Sequence, residues 1–187
     1  MPFILRPALP ENIPVLQALI ERSARGLSAG YYTPAEAESA IRYVFGVDSN
    51  LIADGSYFAV RDGPTIVGCG GWSRRRTLYG GDQRPVGDAN DLLDPATDAA
   101  KIRAFFVAPE RARQGIGRLL LDACFNAAAA AGFARAELMA TLPGVPLYAA
   151  YGFEALERVT DVLPDGTPLA FVRMARSLPP RGASLSR

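Results

Sequence analysis

The chain has 187 residues and a net charge of +1, from 20 Lys and Arg against 19 Asp and Glu. That length suits one domain, and the even charge balance argues against a nucleic-acid binder, which needs a basic excess to neutralise phosphates. The sequence contains no histidine, which excludes Ser-His-Asp and Cys-His nucleophile systems, His-ligated zinc and a His general base. Cys69 and Cys124 lie too far apart for a CxxC redox pair or metal cluster, so no metal site is predicted.

The uninterrupted apolar stretches are only a few residues long, which is too short to span a membrane. The N-terminal sequence has neither the basic region nor the long apolar region of a signal peptide. These two observations predict a cytoplasmic protein that has no membrane partner.

A strand and two helices are predicted at the start of the chain. Residues 3–6 are mostly apolar and two prolines follow them, which is typical of a short strand. Apolar residues then recur at helical spacing after Asn12, which is predicted to cap the first helix. In the second helix, predicted to end near residue 45, Thr33 and Glu36 have the spacing of a capping box.

Two β-rich runs, residues 56–60 and 65–72, flank an Asp-Gly dipeptide, a pattern that predicts a β-hairpin. The polar, Gly-rich segment 73–98 that follows is long for a connection inside one domain, so we expect it to have a function. Its run of three arginines, residues 74–76, is interpreted as a solvated loop or, alternatively, as a site for an acidic group.

Six elements are predicted in the second half of the chain, in the order strand, helix, strand, short helix, strand, strand. Their residues are 102–107, 115–131, 136–140, 143–150, 154–162 and 167–174. This order predicts an α/β fold in which helices cover both faces of one sheet. Residues 1–176 are predicted to form the domain, and residues 177–187, which are polar with two prolines, are predicted to be a disordered tail.

Two glycines open the long helix directly after a strand. Gly115 and Gly117 allow backbone amides to approach an anion closely, and a helix N-terminus adds partial positive charge. Arg111, Arg113 and Arg118 surround the same turn. A phosphate or pyrophosphate is the predicted ligand, and the alternative is an ordinary glycine-containing helix start with solvated arginines.

Neither of two common nucleotide motifs matches this turn. A P-loop needs a Gly-Lys pair, which the sequence lacks, and the dinucleotide fingerprint needs a third glycine where Leu120 stands. The segment instead resembles the cofactor motif of the GCN5-related N-acetyltransferases, which is Gln or Arg, two residues, Gly, one residue, then Gly or Ala. Residues 112–117 align with that motif, with Ala112 in place of its first Gln or Arg.

A second segment carries the same resemblance. Residues 147–153 are similar to the family's short helix that ends in Gly-Phe, and they place Tyr148 four residues before Gly152. In the family, that tyrosine lies beside the sulfur of the cofactor. Seven residues earlier, where the family often has Asn, this chain has Thr141, which could cap the short helix.

The resemblance implies a single mixed, mostly antiparallel and splayed sheet, with acetyl-CoA as the cofactor and no metal. It also implies that the backbone of the central strand binds the pantetheine arm like an added strand and polarises the thioester carbonyl. The implied cofactor-binding residues are Phe105, Phe106, Val107, Arg113, Gln114, Gly115, Ile116, Gly117, Arg118 and Thr141.

The resemblance assigns the role of general acid to Tyr148. A phenol with a pKa near ~10 is protonated at pH 7 and can give its proton to the leaving thiolate. The alternative is that Tyr148 packs in the core. The central strand has no carboxylate where many members of the family carry a Glu base. Asp98, just before the strand, is therefore the candidate base, with a water chain as the alternative.

The acceptor amine is expected to bind between the first two helices and segment 73–98. Aromatic side chains there can line an amine pocket through apolar and cation–π contacts, or they can be ordinary core residues. These candidates are Tyr31, Tyr32, Trp72 and Tyr79.

The predicted function is acetyl transfer from acetyl-CoA to an amine, of a small molecule or a protein, by direct attack in a ternary complex. Two alternatives stay open. One is a non-catalytic acyl-CoA-binding or regulatory module on the same fold, and the other is a binder of a different phosphorylated anion. The sequence specifies neither the acceptor nor the oligomeric state, and a homodimer is compatible with it.

Overall fold

One sheet of seven strands organises the computed structural model, which describes residues 2–84 and 91–178. The strands are β1 Ile4–Pro7, β2 Tyr57–Asp62, β3 Thr65–Ser73, β4 Ala100–Val107, β5 Arg135–Thr141, β6 Glu154–Val162 and β7 Pro168–Ser177. The helices are α1 Ile13–Leu27, α2 Pro34–Tyr43, α3 Ser49–Ala53, α4 Ile116–Ala130 and α5 Val145–Ala150. Short 3-10 turns precede three of these helices, at Pro10–Asn12, Pro109–Arg111 and Leu142–Gly144.

The strands lie in the order β1-β2-β3-β4-β5-β7-β6 and pair antiparallel, except that β4 and β5 are parallel. Tight turns join the antiparallel neighbours β2–β3 and β6–β7, whereas α4 connects the parallel pair, because parallel strands need a long crossover. The sequence-based prediction of a mixed, mostly antiparallel sheet is confirmed.

Helices cover both faces of this sheet, and α1 and α4 both pack on β3 and β4. One core cluster joins the first three helices to β2 and β3, and it includes the fully buried Leu16, Leu51 and Tyr57. A second cluster joins α4 and α5 to β5 and β7 around Leu121 and Leu138. Within the two described ranges of the chain, no helix is long and apolar enough to cross a membrane.

Two local predictions are confirmed. The Glu36 amide donates to Thr33 Oγ1 at 3.2 Å and the Thr33 amide donates to Glu36 Oε2 at 2.7 Å, so the capping box of α2 is formed. Asp62 pairs with Thr65 at the end of the β2–β3 hairpin. Both features depend on residues that are close in sequence, which is why the sequence predicts them.

The sequence predicts that Asn12 caps α1, but its side chain does not do so. A 3-10 turn precedes α1, so Asn12 already has helical backbone angles, and its side chain instead accepts from the Leu9 amide at 2.9 Å. The short helix α3 was also not predicted, and Asp48 caps it by accepting from the Asn50 amide at 3.0 Å.

Regular structure continues beyond the predicted domain boundary at residue 176. β7 ends at Ser177, which pairs with Arg135 of β5. Leu178 is buried, and its amide donates to the Ala134 carbonyl at 2.9 Å. The remainder of the predicted tail, residues 179–187, lies outside the described residues.

Candidate active site

β4 and β5 separate after two pairs of residues. Ala100 pairs with Ala136 and Lys101 with Glu137, and the register between these two fully described strands ends there. The sheet therefore opens between β4 and β5, as the family resemblance implied, and two clefts lie along the opening.

The first cleft, of about 690 Å³ and open to solvent, lies between α1, β4, β5 and α5. The second cleft, of about 550 Å³, lies between β4, β5, β7 and the loops at residues 44–46 and 78–81. The two clefts share five lining residues, which are Phe45, Phe105, Phe106, Thr141 and Tyr148. Two molecules, one in each cleft, would therefore meet beside these residues.

A β-bulge in β4 sets the position of one shared aromatic side chain. Ala104 and Phe105 both lie opposite the single residue Gly70 of β3. Ala104 has a φ of 55°, which residues other than glycine rarely adopt, and the buried Tyr57 hydroxyl donates to its carbonyl at 3.0 Å. A Cβ atom on Gly70 would lie 2.5 Å from the Phe105 ring, so this glycine leaves the space that the ring fills.

The predicted residues Phe105, Phe106 and Val107 line the first cleft. The Val107 amide differs from expectation because it is not free. It donates to Oγ of Ser23, a buried residue of α1 that lines the same cleft, at 3.2 Å. β5 is no longer alongside to accept this amide hydrogen, so the serine hydroxyl accepts it.

The glycine turn before α4 has an open, left-handed backbone. Gly115, the N-cap of α4, has a φ of 89° and Arg113 a φ of 63°. A Cβ atom built on Gly115 would have nothing within 4 Å, and the first turn of α4 carries no acidic side chain. A helix N-terminus in open space, with no carboxylate beside it, can accommodate a phosphate group. Gly117 has a packing role, because a Cβ atom there would lie 2.7 Å from Cδ2 of Leu147 in α5.

The side chains around this turn differ in what they can offer a ligand. Ile116 is buried in the core, so only its backbone can face an anion. Gln114 donates to a backbone carbonyl at 3.3 Å, and Arg111 is 2.7 Å from the carboxylate of a β2 residue. Arg113 and Arg118 are exposed. Neither arginine forms an ion pair among the described residues, so both can approach a ligand at the turn, and the Arg118 guanidinium also lies 5.9 Å from the Tyr151 ring.

Tyr148 lines both clefts and is only 8% exposed. Its ring packs edge-on against Phe105 and Phe153, with centroids 6.2 and 5.8 Å away. Among the described residues, none forms a hydrogen bond with its hydroxyl. Burial, with a smaller contribution from Cys124, raises the pKa of this phenol well above its ordinary value. The hydroxyl is therefore protonated at neutral pH and available to a ligand.

Tyr31 and Tyr32 lie in different places although they are adjacent in sequence. Tyr31 is 48% exposed and lines neither cleft. Tyr32 lines the first cleft, where its hydroxyl donates to the Ala170 carbonyl at 2.6 Å and accepts from the Leu142 amide at 2.9 Å. Burial is the main reason that the pKa of Tyr32 rises to about 12. Tyr32 therefore holds β7 and the turn after β5 together, and it lines the first cleft only.

The other predicted acceptor-site residues also separate. Tyr79 lines the second cleft, with its ring 5.2 Å from that of Phe171. Trp72 packs against Phe133 in the second core cluster and lines neither cleft. Asp98 lies before the start of β4, where it accepts from a backbone amide at 2.8 Å, and it also lines neither cleft. The structure thus brings Tyr79 to the opening but does not bring Trp72 or Asp98 there.

Alternation along β5 could have identified Met139 as a further lining residue, two positions before the predicted Thr141. Met139 and Thr141 are alternate, partly exposed positions of β5, and both line the second cleft. Thr141 was expected to cap the short helix, but its side chain forms no capping hydrogen bond. Among residues 2–84 and 91–178, no group of three side chains is placed to hold a metal ion.

A buried ion pair beside the second cleft was not predicted. Nη2 of Arg103 in β4 lies 2.7 Å from Oδ2 of Asp48, and it also donates to the Gly80 carbonyl. The two charged side chains are 4% and 6% exposed. Burial lowers the pKa of Arg103, while the negative charge of Asp48 acts in the opposite direction. The pair could not be predicted because its members are far apart in sequence and belong to different elements.

The sequence model of the GNAT acetyltransferase family matches residues 21–153, which include the end of α1, the separation of β4 from β5, the glycine turn and Tyr148. The chain belongs to this family. A search of curated proteins found no match to the sequence.

Solved GNAT structures have the same fold. The GCN5-related N-acetyltransferase from Rhodopseudomonas palustris matches with a TM-score of 0.69 at 23% identity, over 94% of this chain and 95% of that one. PaiA N-acetyltransferase from Thermoplasma acidophilum, solved with coenzyme A, matches at 0.65 and 15% identity, over 95% and 99%. Phosphinothricin acetyltransferase from Sinorhizobium meliloti, solved with AcCoA, matches at 0.59 and 22% identity, over 98% and 93%.

We predict that Tyr32→Phe destabilises this GNAT protein by about 1–3 kcal/mol, because it removes two hydrogen bonds and leaves a buried amide and a carbonyl without their partner. Tyr31→Phe is the matched control and should change the free energy of unfolding by no more than about 0.5 kcal/mol, since its ring is half exposed. Urea denaturation of both variants measures the difference. Equal stabilities would show that the Tyr32 hydroxyl does not hold β7 to the turn after β5.

Proposed function

We propose that this GNAT protein transfers an acetyl group from acetyl-CoA to an amine by direct attack in a ternary complex. The observation that carries the proposal is the meeting of the two clefts at Tyr148, whose hydroxyl has no hydrogen-bond partner among the described residues. One cleft would hold the acyl donor and the other the acceptor. Bound coenzyme A in the PaiA structure and AcCoA in the phosphinothricin acetyltransferase structure support a CoA site in this fold.

The residues in and beside the first cleft are suited to binding CoA. The pyrophosphate would sit at the open amides of the Gly115 turn, with Arg113 and Arg118 as cations. The pantetheine arm would follow the cleft-facing edge of β4, which β5 leaves without a strand partner. To use the Val107 amide, the arm would have to replace the Ser23 hydroxyl as its acceptor.

Acetyl-CoA supplies an activated thioester, and the residues around it supply position and protons. Amide donors on the unpaired edge of β4 would polarise the thioester carbonyl. Tyr148 would donate its proton to the leaving thiolate, and burial, which raises the pKa of the phenol, keeps it protonated at neutral pH until that step. Among the described residues no carboxylate lines either cleft, so we assign deprotonation of the amine to water.

That lack of a carboxylate in the described lining also favours the second candidate function, a non-catalytic acyl-CoA-binding module. Assay of a broad panel of amines separates the two functions. CoA binding with acetyl transfer to at least one amine supports the enzyme. CoA binding without transfer to any of them supports the module.

The CoA site makes a specific prediction for Gly115→Asp. The new carboxylate would occupy the open space at the N-terminus of α4 and repel the pyrophosphate, so affinity for CoA should fall at least about tenfold, or 1.4 kcal/mol. Gly115→Asn imposes the same strain at a φ of 89° without the charge, and it should bind CoA much more tightly than the Asp variant. Isothermal calorimetry measures both, and equal affinities would place the pyrophosphate elsewhere.

The acid role predicts that Tyr148→Phe lowers turnover by about 10²–10⁴ with near-normal affinity for CoA. Burial raises the pKa of the phenol, so it stays protonated between pH 7 and 9, and the ratio of wild-type to variant rates should be constant over that range. Tyr151→Phe is the control, because that tyrosine lines neither cleft and its hydroxyl donates to Asp122. If Tyr148→Phe retains most of the activity, water protonates the thiolate and Tyr148 only packs.

A further inference from the structure

The second cleft is bounded on one side by a segment that we call the strap, residues 78–84. In the middle of the strap, the Gly81 amide donates to the Val44 carbonyl after α2 at 2.9 Å. At its C-terminal end, Arg84 forms an ion pair with Asp161 of β6. The strap is thus held at its middle and at its C-terminal end, and a wall fixed at two points suits a small molecule better than a polypeptide segment.

The walls of the second cleft are mainly apolar. Aromatic side chains come from three directions, with Phe45 after α2, Phe106 on β4 and Phe171 on β7. Met139 and Leu78 add aliphatic surface. Such walls favour an acceptor with an apolar body, because each apolar group moved out of water stabilises the complex.

Arg103 is the charged residue among those that line this cleft, within the described part of the chain. Its side chain is 4% exposed, and its Nε atom is buried without a hydrogen-bond acceptor. Buried donors in proteins nearly always have a partner, and an arginine cation is especially costly to leave partly unsatisfied. The contacts to Asp48 and Gly80 engage only Nη2. The guanidinium therefore has hydrogen-bonding capacity that the described protein atoms do not use.

We infer that the acceptor is a small apolar amine that also carries a carboxylate, as an apolar amino acid does, and that Arg103 holds this carboxylate. This inference rests on the proposed acetyl transfer and names its substrate class. A carboxylate matches the planar donors of a guanidinium and would give the unused ones an acceptor. An amine without an anionic group would leave those donors unpaired beside the cleft. A diamine or polyamine would bring a second positive charge toward the arginine.

The test compares each of two amino acids, phenylalanine and methionine, with the amine formed by its decarboxylation. Wild-type protein should use the amino acid with a kcat/KM roughly ten- to hundredfold higher than that of its decarboxylated partner, the effect of a hydrogen bond to a charged group. In the double variant Arg103→Gln, Asp48→Asn, both buried charges are removed and this ratio should fall close to one. In Asp48→Asn, the arginine loses its carboxylate partner and the ratio should rise.

The affinity of every protein for CoA is measured by calorimetry as a control. An unchanged affinity shows that the first cleft is intact, so that a failure of this inference can be distinguished from a failure of the proposed function. Turnover of the amines with a ratio near one in wild type, or with a ratio that the double variant leaves unchanged, would overturn the carboxylate assignment alone. Transfer only to peptide N-termini would also overturn it. No transfer to any amine or peptide would overturn the proposed function and this inference with it. If the double variant does not fold, Asp48→Asn decides, because an unchanged or lower ratio contradicts the role of Arg103.

Discussion

The site depends on the early separation of β4 from β5. Two strands that stayed paired along their whole length would satisfy their backbones but leave no space between them, whereas here the register ends at Lys101. The cost is a row of polar backbone groups without a neighbouring strand. The protein meets part of that cost with side chains, since Ser23 accepts from the Val107 amide and Tyr57 donates to the Ala104 carbonyl. In the function that we propose, the hydrogen bond at Val107 is one that an extended ligand would take over.

Glycines keep the walls of the opening close together. At Gly70 the missing side chain leaves space for the Phe105 ring, and at Gly117 it lets Leu147 approach, so that α4 and α5 meet beside the first cleft. Gly115 differs from both, because the space around its Cα is empty and its left-handed φ is what the turn requires. Glycines of one sequence motif thus have different physical roles. Gly117 brings two helices together, whereas Gly115 leaves an anion room to bind.

The sequence predicted several features that depend on neighbouring residues. The capping box of Thr33 and the glycine turn at Gly115 are local patterns, and the structure contains both. Tyr31 and Tyr32 show the limit of such predictions. They are adjacent in sequence, yet only the Tyr32 ring lines a cleft, and composition does not determine which of the two does so. Asp98 was chosen for its proximity to the central strand in sequence. β4 is eight residues long, however, and Asp98 lies just before its first residue, whereas β4 and β5 are separated toward its last residue.

The same limit explains why the sequence analysis identified the lack of a carboxylate on the central strand but not the ion pair that this strand carries. β4 instead carries Arg103, whose partner Asp48 lies at the start of α3, an element that the sequence analysis did not identify. In the function that we propose, this arrangement changes what the protein must supply. An ammonium group brought among Phe45, Phe106 and Phe171 loses hydration, and loss of hydration lowers its pKa. Because the cleft itself then helps the amine lose its proton, water is a sufficient base, and a carboxylate on β4 is not required.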